Sequence, residues 1–364
     1  MPAPNVRLHH PLGDRLPPPG GLLPLAPGLQ WLRMPLPFAL DHINLWLLDD
    51  EAAGQAAWAV VDTGLDDPAT RARWQALLDG PLGGRPLSRV IATHMHPDHL
   101  GLAHWLCAQH GVPLAISAGD WLSAQRACGA AAPDNRALAA HYARHGVSDE
   151  AVLDGIRARS GLYARLVPAV PASYQRLLDG RPLTIGGQAW TPIAGYGHAP
   201  EHMALFRPAQ AGSPPLLIGG DMMLPRISTN VGVPETEPEA DALGLFLDSI
   251  ERFRALPADT LVLPSHGLPF GRVAGAPAGA GGLHERIDAL QAHHAERLAV
   301  VEAACRAAPC TAYQLLPLLF RRPLDLHQTS FAMGESIAHL HRLWHAGRLR
   351  READADGVWH FRAA

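Results

Sequence analysis

The stretch "THMHPDHLG", residues 93–101, sets His94, His96, Asp98 and His99 directly behind the apolar run "LSRVIA". That run reads as a strand, so the polar cluster falls in the loop at its C-terminal end. The surroundings supply a rhythm. "HINLWLLDD" and "WAVVDTG" read as two buried strands joined by a turn. "DPATRARWQALLDG" opens on a good N-cap, Asp67, and closes at Gly80, which predicts a helix. "PDHLGLAHWLCAQHG" predicts one helix ending at Gly111, and "VPLAIS" a further strand. The first third of the chain thus alternates in the manner of the α/β class.

Composition narrows the function. The chain of 364 residues can bury a sizeable core, as one large domain with a smaller one. Hydrophobic residues at 48% and charged residues at 18% are ordinary for a globular protein. A net charge of -4 gives no broad electrostatic reason to bind nucleic acid or an anionic membrane. All 30 basic residues are arginines. The four cysteines, Cys107, Cys128, Cys305 and Cys310, form no C-x-x-C pair, which fits a reduced compartment rather than a disulfide framework. "MPAPNVRLHHPLGDRLPPPGG" lacks the pattern of a signal peptide, and no apolar run is long enough to span a bilayer. The expectation is a cytoplasmic protein with no membrane partner. Residues 1–30, rich in Pro and Gly, are expected to be irregular.

Residues 119–180 interrupt the alternation with helical segments, "DNRALAAHYARHG" and "DEAVLDGIRARSGLYARLV". Such an insertion can cap a site, or serve packing or homodimerisation. Arg157, Arg159, Tyr163 and Arg165 within it are candidate substrate contacts, a solvated helix face being the alternative. Strands resume with "PLTIGG", "QAWTPIA", "MALFRP" and "PLLIGGD", followed by the amphipathic helix "PEADALGLFLDSIERFRAL" and the strand and loop "DTLVLPSHG". A low-complexity stretch, "GRVAGAPAGAGG", marks a boundary near residue 275. Beyond it, across 276–364, three helices and a final strand look like a winged-helix-type module. The third helix is expected over "FAMGESIAHLHRLWHAGRLRRE". Arg342, Arg348, Arg350 and Arg351 form a basic cluster there, diluted by Asp354 and Asp356.

Residues two apart in an extended segment point the same way, so His94 and His96 can chelate one ion. Asp98 and His99, at the start of the next helix, can face a second. Imidazole and carboxylate suit zinc, manganese or iron. Two ions need further ligands. His198 in "GYGHAPEH", Asp221 in "LLIGGDM" and His266 in "LVLPSHG" each follow an apolar β-like run and can share the same rim.

These elements, in this order, resemble the metallo-β-lactamase superfamily over roughly residues 30–270. The resemblance implies an αββα sandwich with metals at one edge. It also implies a division of labour: His94, His96 and His198 on the first ion, Asp98, His99 and His266 on the second, and Asp221 bridging them. Asp62 in "VVDTG" would support the ligands from behind; His202, four residues after His198, could itself be a ligand, support from behind or loop closure being the preferred reading. A hydroxide between the two divalent ions, zinc by preference, would be the nucleophile, with Asp98 able to orient it or take a proton. The complete set with "GGD" looks like the glyoxalase II type, the hydroxyacylglutathione hydrolases, so the leading expectation is a hydrolase of a thioester or related small acyl substrate. This chain lacks a recognisable basic glutathione site. A phosphodiesterase or ribonuclease, and a lactonase, are the alternatives.

Overall fold

The computed structural model describes residues 7–129 and 134–364. One sheet holds β1 (Leu23–Ala26), β2 (Leu29–Pro35), β3 (His42–Ala52), β4 (Gln55–Val61), β5 (Leu87–Ile91), β6 (Leu114–Ile116) and β7 (Gln175–Arg176), in that spatial order. β1 to β4 pair antiparallel, and β4 to β7 parallel. The second sheet runs β12 (Leu261–Pro264), β11 (Leu216–Gly220), β10 (His202–Arg207), β9 (Gln188–Gly195), β8 (Leu183–Ile185). Parallel pairing needs long crossovers, which the helices supply. They are α1 (Pro68–Asp79), α2 (Pro97–Leu100), α3 (Ala103–His110), α4 (Ala118–Cys128), α5 (Arg136–Arg144), α6 (Glu150–Ala158), α7 (Leu162–Leu166) and α8 (Ala242–Arg252). The chain ends with α9 (Leu283–Ala307), α10 (Leu316–Leu319), α11 (Leu326–His345) and a two-stranded sheet of β13 (Leu349–Ala353) and β14 (Trp359–Ala363).

Three apolar cores make the layers. Trp31, Trp46, Val61, Ile91, Trp190, Met203 and Ile218 fill the space between the two sheets. Leu45, Val60, Val90, Trp74 and Leu106 join the outer face of the first sheet to α1 and α3. Leu217, Val262, Phe246, Ile287, Leu290 and Ile337 join the second sheet to α8, α9 and α11. The result is the expected αββα sandwich, with a C-terminal helical region and small sheet packed on its second face.

The local signals act as chemistry predicts. Asp67 Oδ1 accepts from the backbone N–H of Ala69 at 2.8 Å and of Thr70 at 3.0 Å, capping α1. Four local expectations are corrected. The single helix over residues 97–111 breaks after Gly101, because Leu102 leaves helical geometry at φ -94° and ψ 5° and turns its N–H to Gly64 O at 3.2 Å, an approach close enough that a Cβ on Gly101 would meet Gly64 O at 2.7 Å. The segment after Asp149 breaks at Gly161, whose φ is +69°. "LRRE" is not the end of a helix but strand β13, since α11 stops at His345 and Gly347 turns the chain at φ +70°. Within the stretch expected to be irregular, Leu23–Ala26 and Leu29–Pro35 pair as strands, while residues 1–6 lie outside the described residues.

Candidate metal centre

Five strands deliver their C-terminal ends, and β10 its start, to one edge of the sandwich. Asp62 follows β4, His94 to His99 follow β5, His198 follows β9, Asp221 follows β11, His266 follows β12, and His202 opens β10. The edge gathers the seven expected ligands into two groups. Ligand atoms of His94, His96, His198 and Asp221 all lie within 4.8 Å of one another, as do those of Asp98, His99 and His266.

In the first group, His94 Nε2 is 3.0 Å from His96 Nδ1 and 3.2 Å from His198 Nε2, and Asp221 Oδ2 is 3.4 Å from His198 Nε2. In the second, Asp98 Oδ2 is 3.6 Å from His99 Nε2 and 3.4 Å from His266 Nε2. Asp221 Oδ1 lies 3.5 Å from His99 Nε2 and 3.4 Å from His266 Nε2. One carboxylate therefore turns one oxygen to each group. His99 Nε2 and Asp221 Oδ1 are buried without a hydrogen-bond partner, an arrangement that costs free energy unless a cation completes it. The donor set fits divalent ions.

The other ring nitrogens of His94, His99, His198 and His266 are occupied, which fixes which nitrogen of each faces the site. His99 Nδ1 lies 2.8 Å from Asp62 Oδ2. His198 Nδ1 donates to Asn230 O at 2.7 Å, and His266 Nδ1 to His42 O at 2.8 Å. His94 Nδ1 is 3.1 Å from Thr93 Oγ1, whose hydroxyl donates to Asp62 Oδ2 at 2.9 Å. Asp62 thus backs two imidazoles, from a left-handed backbone at φ 63° that only surrounding structure can hold in place. His202 sits behind Asp221, its Nε2 accepting the Asp221 N–H at 3.2 Å. Gly220 makes room for it, since a Cβ there would lie 2.1 Å from His202 Nε2.

The electrostatics differ between the groups. Burial pushes His94 well below the ordinary imidazole value and brings His96 down to about 3, so both are neutral donors at neutral pH. Burial opposes charge on His99 and His266 too, yet the carboxylates around them outweigh it. His99 is held well above its ordinary value, chiefly by Asp98 and Asp62, and His266 is raised to about 10, chiefly by Asp221. Asp98 and Asp221 are held down against burial by the neighbouring imidazoles, Asp221 well below the carboxylate range. The carboxylate side of the centre demands positive charge, from protons or from cations.

Other residues that the sequence did not single out for this work brace the loop. Met95 stands between His94 and His96, and its N–H donates to Asp120 Oδ1 at 2.8 Å. Asp120 Oδ2 accepts from the Glu201 N–H at 2.8 Å and Ser117 Oγ at 3.0 Å, so one carboxylate ties both histidine-bearing loops to the start of α4. Burial raises Asp120 to about 6. Its only sequence signal was the capping pattern "SAGD". Tyr163, expected as a substrate contact or a solvated face, instead turns its hydroxyl to Met95 O at 2.6 Å. Arg157 pairs with Asp154 at 2.6 Å and Glu150 at 3.2 Å, Arg165 donates to Ser160 O at 3.2 Å, and Arg159 lies 2.6 Å from His327 Nδ1.

A four-layer αββα sandwich with convergent imidazoles and carboxylates on one edge defines a class, the metal-dependent hydrolases. Comparison gives the family. Residues 39–266 match the Metallo-beta-lactamase superfamily, and residues 298–364 match the Metallo-beta-lactamase-like, C-terminal domain. The chain belongs to the metallo-β-lactamase superfamily. It is 47% identical to a β-lactamase domain protein from Burkholderia ambifaria, over 98% of each chain at a TM-score of 0.88. It is 27% identical to a metallo-β-lactamase family protein from Thermus thermophilus, over 94% of this chain and 100% of that one, with a TM-score of 0.73. A metallo-β-lactamase from Cronobacter sakazakii, 16% identical at a TM-score of 0.50 over 78% of this chain and 98% of that one, shares the fold. No curated protein matches the chain. Among the described residues, no helix is long and apolar enough to cross a membrane.

Proposed function

We propose that the protein is a dinuclear metal hydrolase of small acyl substrates, a thioester by preference, in the manner of the glyoxalase II type. The observation that carries the dinuclear reading is Asp221, whose Oδ2 faces the first histidine group and whose Oδ1 faces the second. In this reading His94, His96 and His198 hold one divalent ion, Asp98, His99 and His266 the other, and Asp221 both, with zinc suited best by the nitrogen-rich donor set. Two such ions, when bound, supply a hydroxide at neutral pH and polarise the substrate oxygen. The chain's own part is to hold the ligand nitrogens lone-pair inward, through Asp62, Thr93, Asn230 O and His42 O, and to keep Asp98 ionised beside the reacting centre as orienting group or proton acceptor.

The C-terminal helices and hairpin, read as a winged-helix-type module, support an acyl substrate over nucleic acid because three of the four arginines of the basic cluster are already paired, Arg350 alone standing exposed without an ion pair among the described residues. Arg342 pairs with Asp241 at 2.9 Å and Arg348 pairs with Glu302. Arg351 pairs with Glu239 at 2.8 Å and lies 4.0 Å from the ring centroids of Trp344 and Trp359. Phosphate contacts would have to break these pairs. The four free cysteines fit a cytoplasmic setting.

The test is a panel of acyl-thioesters (including S-lactoylglutathione), homoserine lactones, a bis-aryl phosphodiester and single-stranded RNA, run on metal-quantified protein. The expected result is preferred thioester turnover that is lost with chelator and restored by metal. Preferred cleavage of the phosphodiester or RNA under the same controls overturns the substrate assignment.

A further inference from the structure

Asn230 O orients His198, yet Asn230 belongs to no strand or helix. It lies on an irregular strap, residues 222–233, that runs between the metal edge and the C-terminal helices. The strap touches three ligand-bearing loops. Thr229 Oγ1 donates to the Asp221 carbonyl, Asn230 O takes the His198 Nδ1 proton, and Pro225 lies where a Cβ on Gly267, next to His266, would come within 2.6 Å. Without ladder partners, a segment of this kind needs outside donors for its carbonyls.

Those donors come from α9. Arg286 Nε donates to Leu224 O at 2.6 Å, and its terminal nitrogen to Ile227 O at 2.8 Å. Arg286 is only 2% exposed, and among the described residues no carboxylate forms an ion pair with it. Keeping a guanidinium dry without a counter-charge is costly, and burial pulls its pKa down to about 10. Its rigid fork fits two adjacent carbonyls in a way that a lysine ammonium does not. At the far end, Gly232 packs against Gly334 of α11, a Cβ on Gly334 coming 3.3 Å from the Gly232 Cα. Val231 and Val233 anchor the strap in the core shared with Met333 and Ile337.

We propose that Arg286 is a positioning residue of the metal centre, and that the C-terminal module, through Arg286 and Gly334, sets the strap that orients His198 and Asp221. The inference rests on the dinuclear reading above. It gives the module a task inside the active site rather than on a separate ligand.

The test titrates cobalt(II) into metal-stripped full-length protein and reads both affinities and the ligand-field absorption spectrum. Arg286→Met is expected to weaken one of the two sites by about 10- to 100-fold, the range for loss of a group that orients ligands from behind, and to change its spectrum. Arg286→Lys should recover part of both. Gly334→Ala keeps the charge and favours the helix, so it should fold, while forcing the strap to give by a few tenths of an ångström. Its expected signature is a changed cobalt spectrum with no loss of thermal stability. Wild-type affinities and spectrum in Gly334→Ala and in folded Arg286→Met overturn the proposal. If Arg286→Met fails to fold, Gly334→Ala decides alone by the same spectrum. Wild-type protein that takes up no cobalt sinks the dinuclear reading, and this inference with it.

Discussion

Two regions of this molecule are crowded with buried histidines, and they have opposite chemistry. At the sandwich edge, His94, His96, His99, His198 and His266 turn ring nitrogens toward one another and toward Asp98 and Asp221. Inside the C-terminal region, His293 and His294 of α9 face His339 of α11, with His294 Nδ1 3.3 Å from His339 Nε2. The second region is buried, the first is partly open at His96, Asp98 and His198, and both hold unpartnered ring nitrogens. The difference lies in the carboxylates. Glu335, the acid of the second region, has the Arg297 guanidinium 3.2 Å away, a cation supplied by the protein, although burial still raises its pKa. Among the described residues, Asp98 and Asp221 pair only with histidines, and their answer must come from protons or cations. Histidine content does not make a metal site. Convergent lone pairs around unanswered carboxylates mark a candidate one.

The largest expected contrast comes from paired variants. Asp221→Ala removes the side chain that, among the described residues, faces both candidate ligand groups, and should abolish metal uptake while lowering hydrolysis on the order of a thousandfold. Its fold should persist, because Asp221 lies at the edge and not between the sheets. His294→Ala should do the reverse, costing roughly 1–3 kcal/mol of stability by opening a buried site, with metal stoichiometry intact. Metal analysis and urea melts on both proteins check this. Equal metal loss in the two would erase the distinction.

A smaller contrast appears with pH. Burial holds His294 at about 2, His339 at about 3 and His293 at about 4, all below the unfolded value of about 6.5. They are neutral when folded and take up protons when unfolded. Their contribution is therefore present above about pH 6.5 and is lost as pH falls from there toward the folded values, by up to about 1.4 kcal/mol per pH unit for each group. His266 runs the other way in the metal-free protein. Its folded value of about 10 means a contribution present below about pH 6.5 and lost as pH rises toward 10. Urea midpoints between about pH 7 and 5 follow these three together with the other imidazoles that burial depresses, among them His141, His145 and His341, and His294→Leu should reduce the slope by one group's share. An unchanged slope would show that His294 is not one of the acid-sensitive groups.

The smallest expected effect is on the surface. Arg348→Gln and Arg351→Gln each remove an ion pair on the hairpin β13–β14, far in sequence from every ligand. Turnover of a small thioester should stay within about twofold of wild type, because neither pair touches a candidate ligand, although Arg351→Gln also loses packing on Trp344 and Trp359. A large loss confined to RNA cleavage would instead assign those arginines to phosphate.

Much of the metal edge was legible along the chain. "THMHPDHLG", "GYGHAPEH", "LLIGGD" and "LVLPSHG" each put a ligand type just after an apolar run, and strand ends collect on one rim once the runs pair. The sequence determined that because strand propensity and ligand identity are both local properties. It misjudged Gly101, Gly161 and the start of β13, where neighbouring backbone or a left-handed turn overrides helical periodicity. Only the tertiary structure decided what stands behind the ligands. Asn230 and His42 act through backbone carbonyls, which every residue has, so no residue type announces them. Asp120 reaches Met95 across 25 positions and Glu201 across 81, and Arg286 reaches Leu224 across 62. Such contacts arise from where the packed layers bring chain segments together, and that is fixed only when the whole sandwich closes.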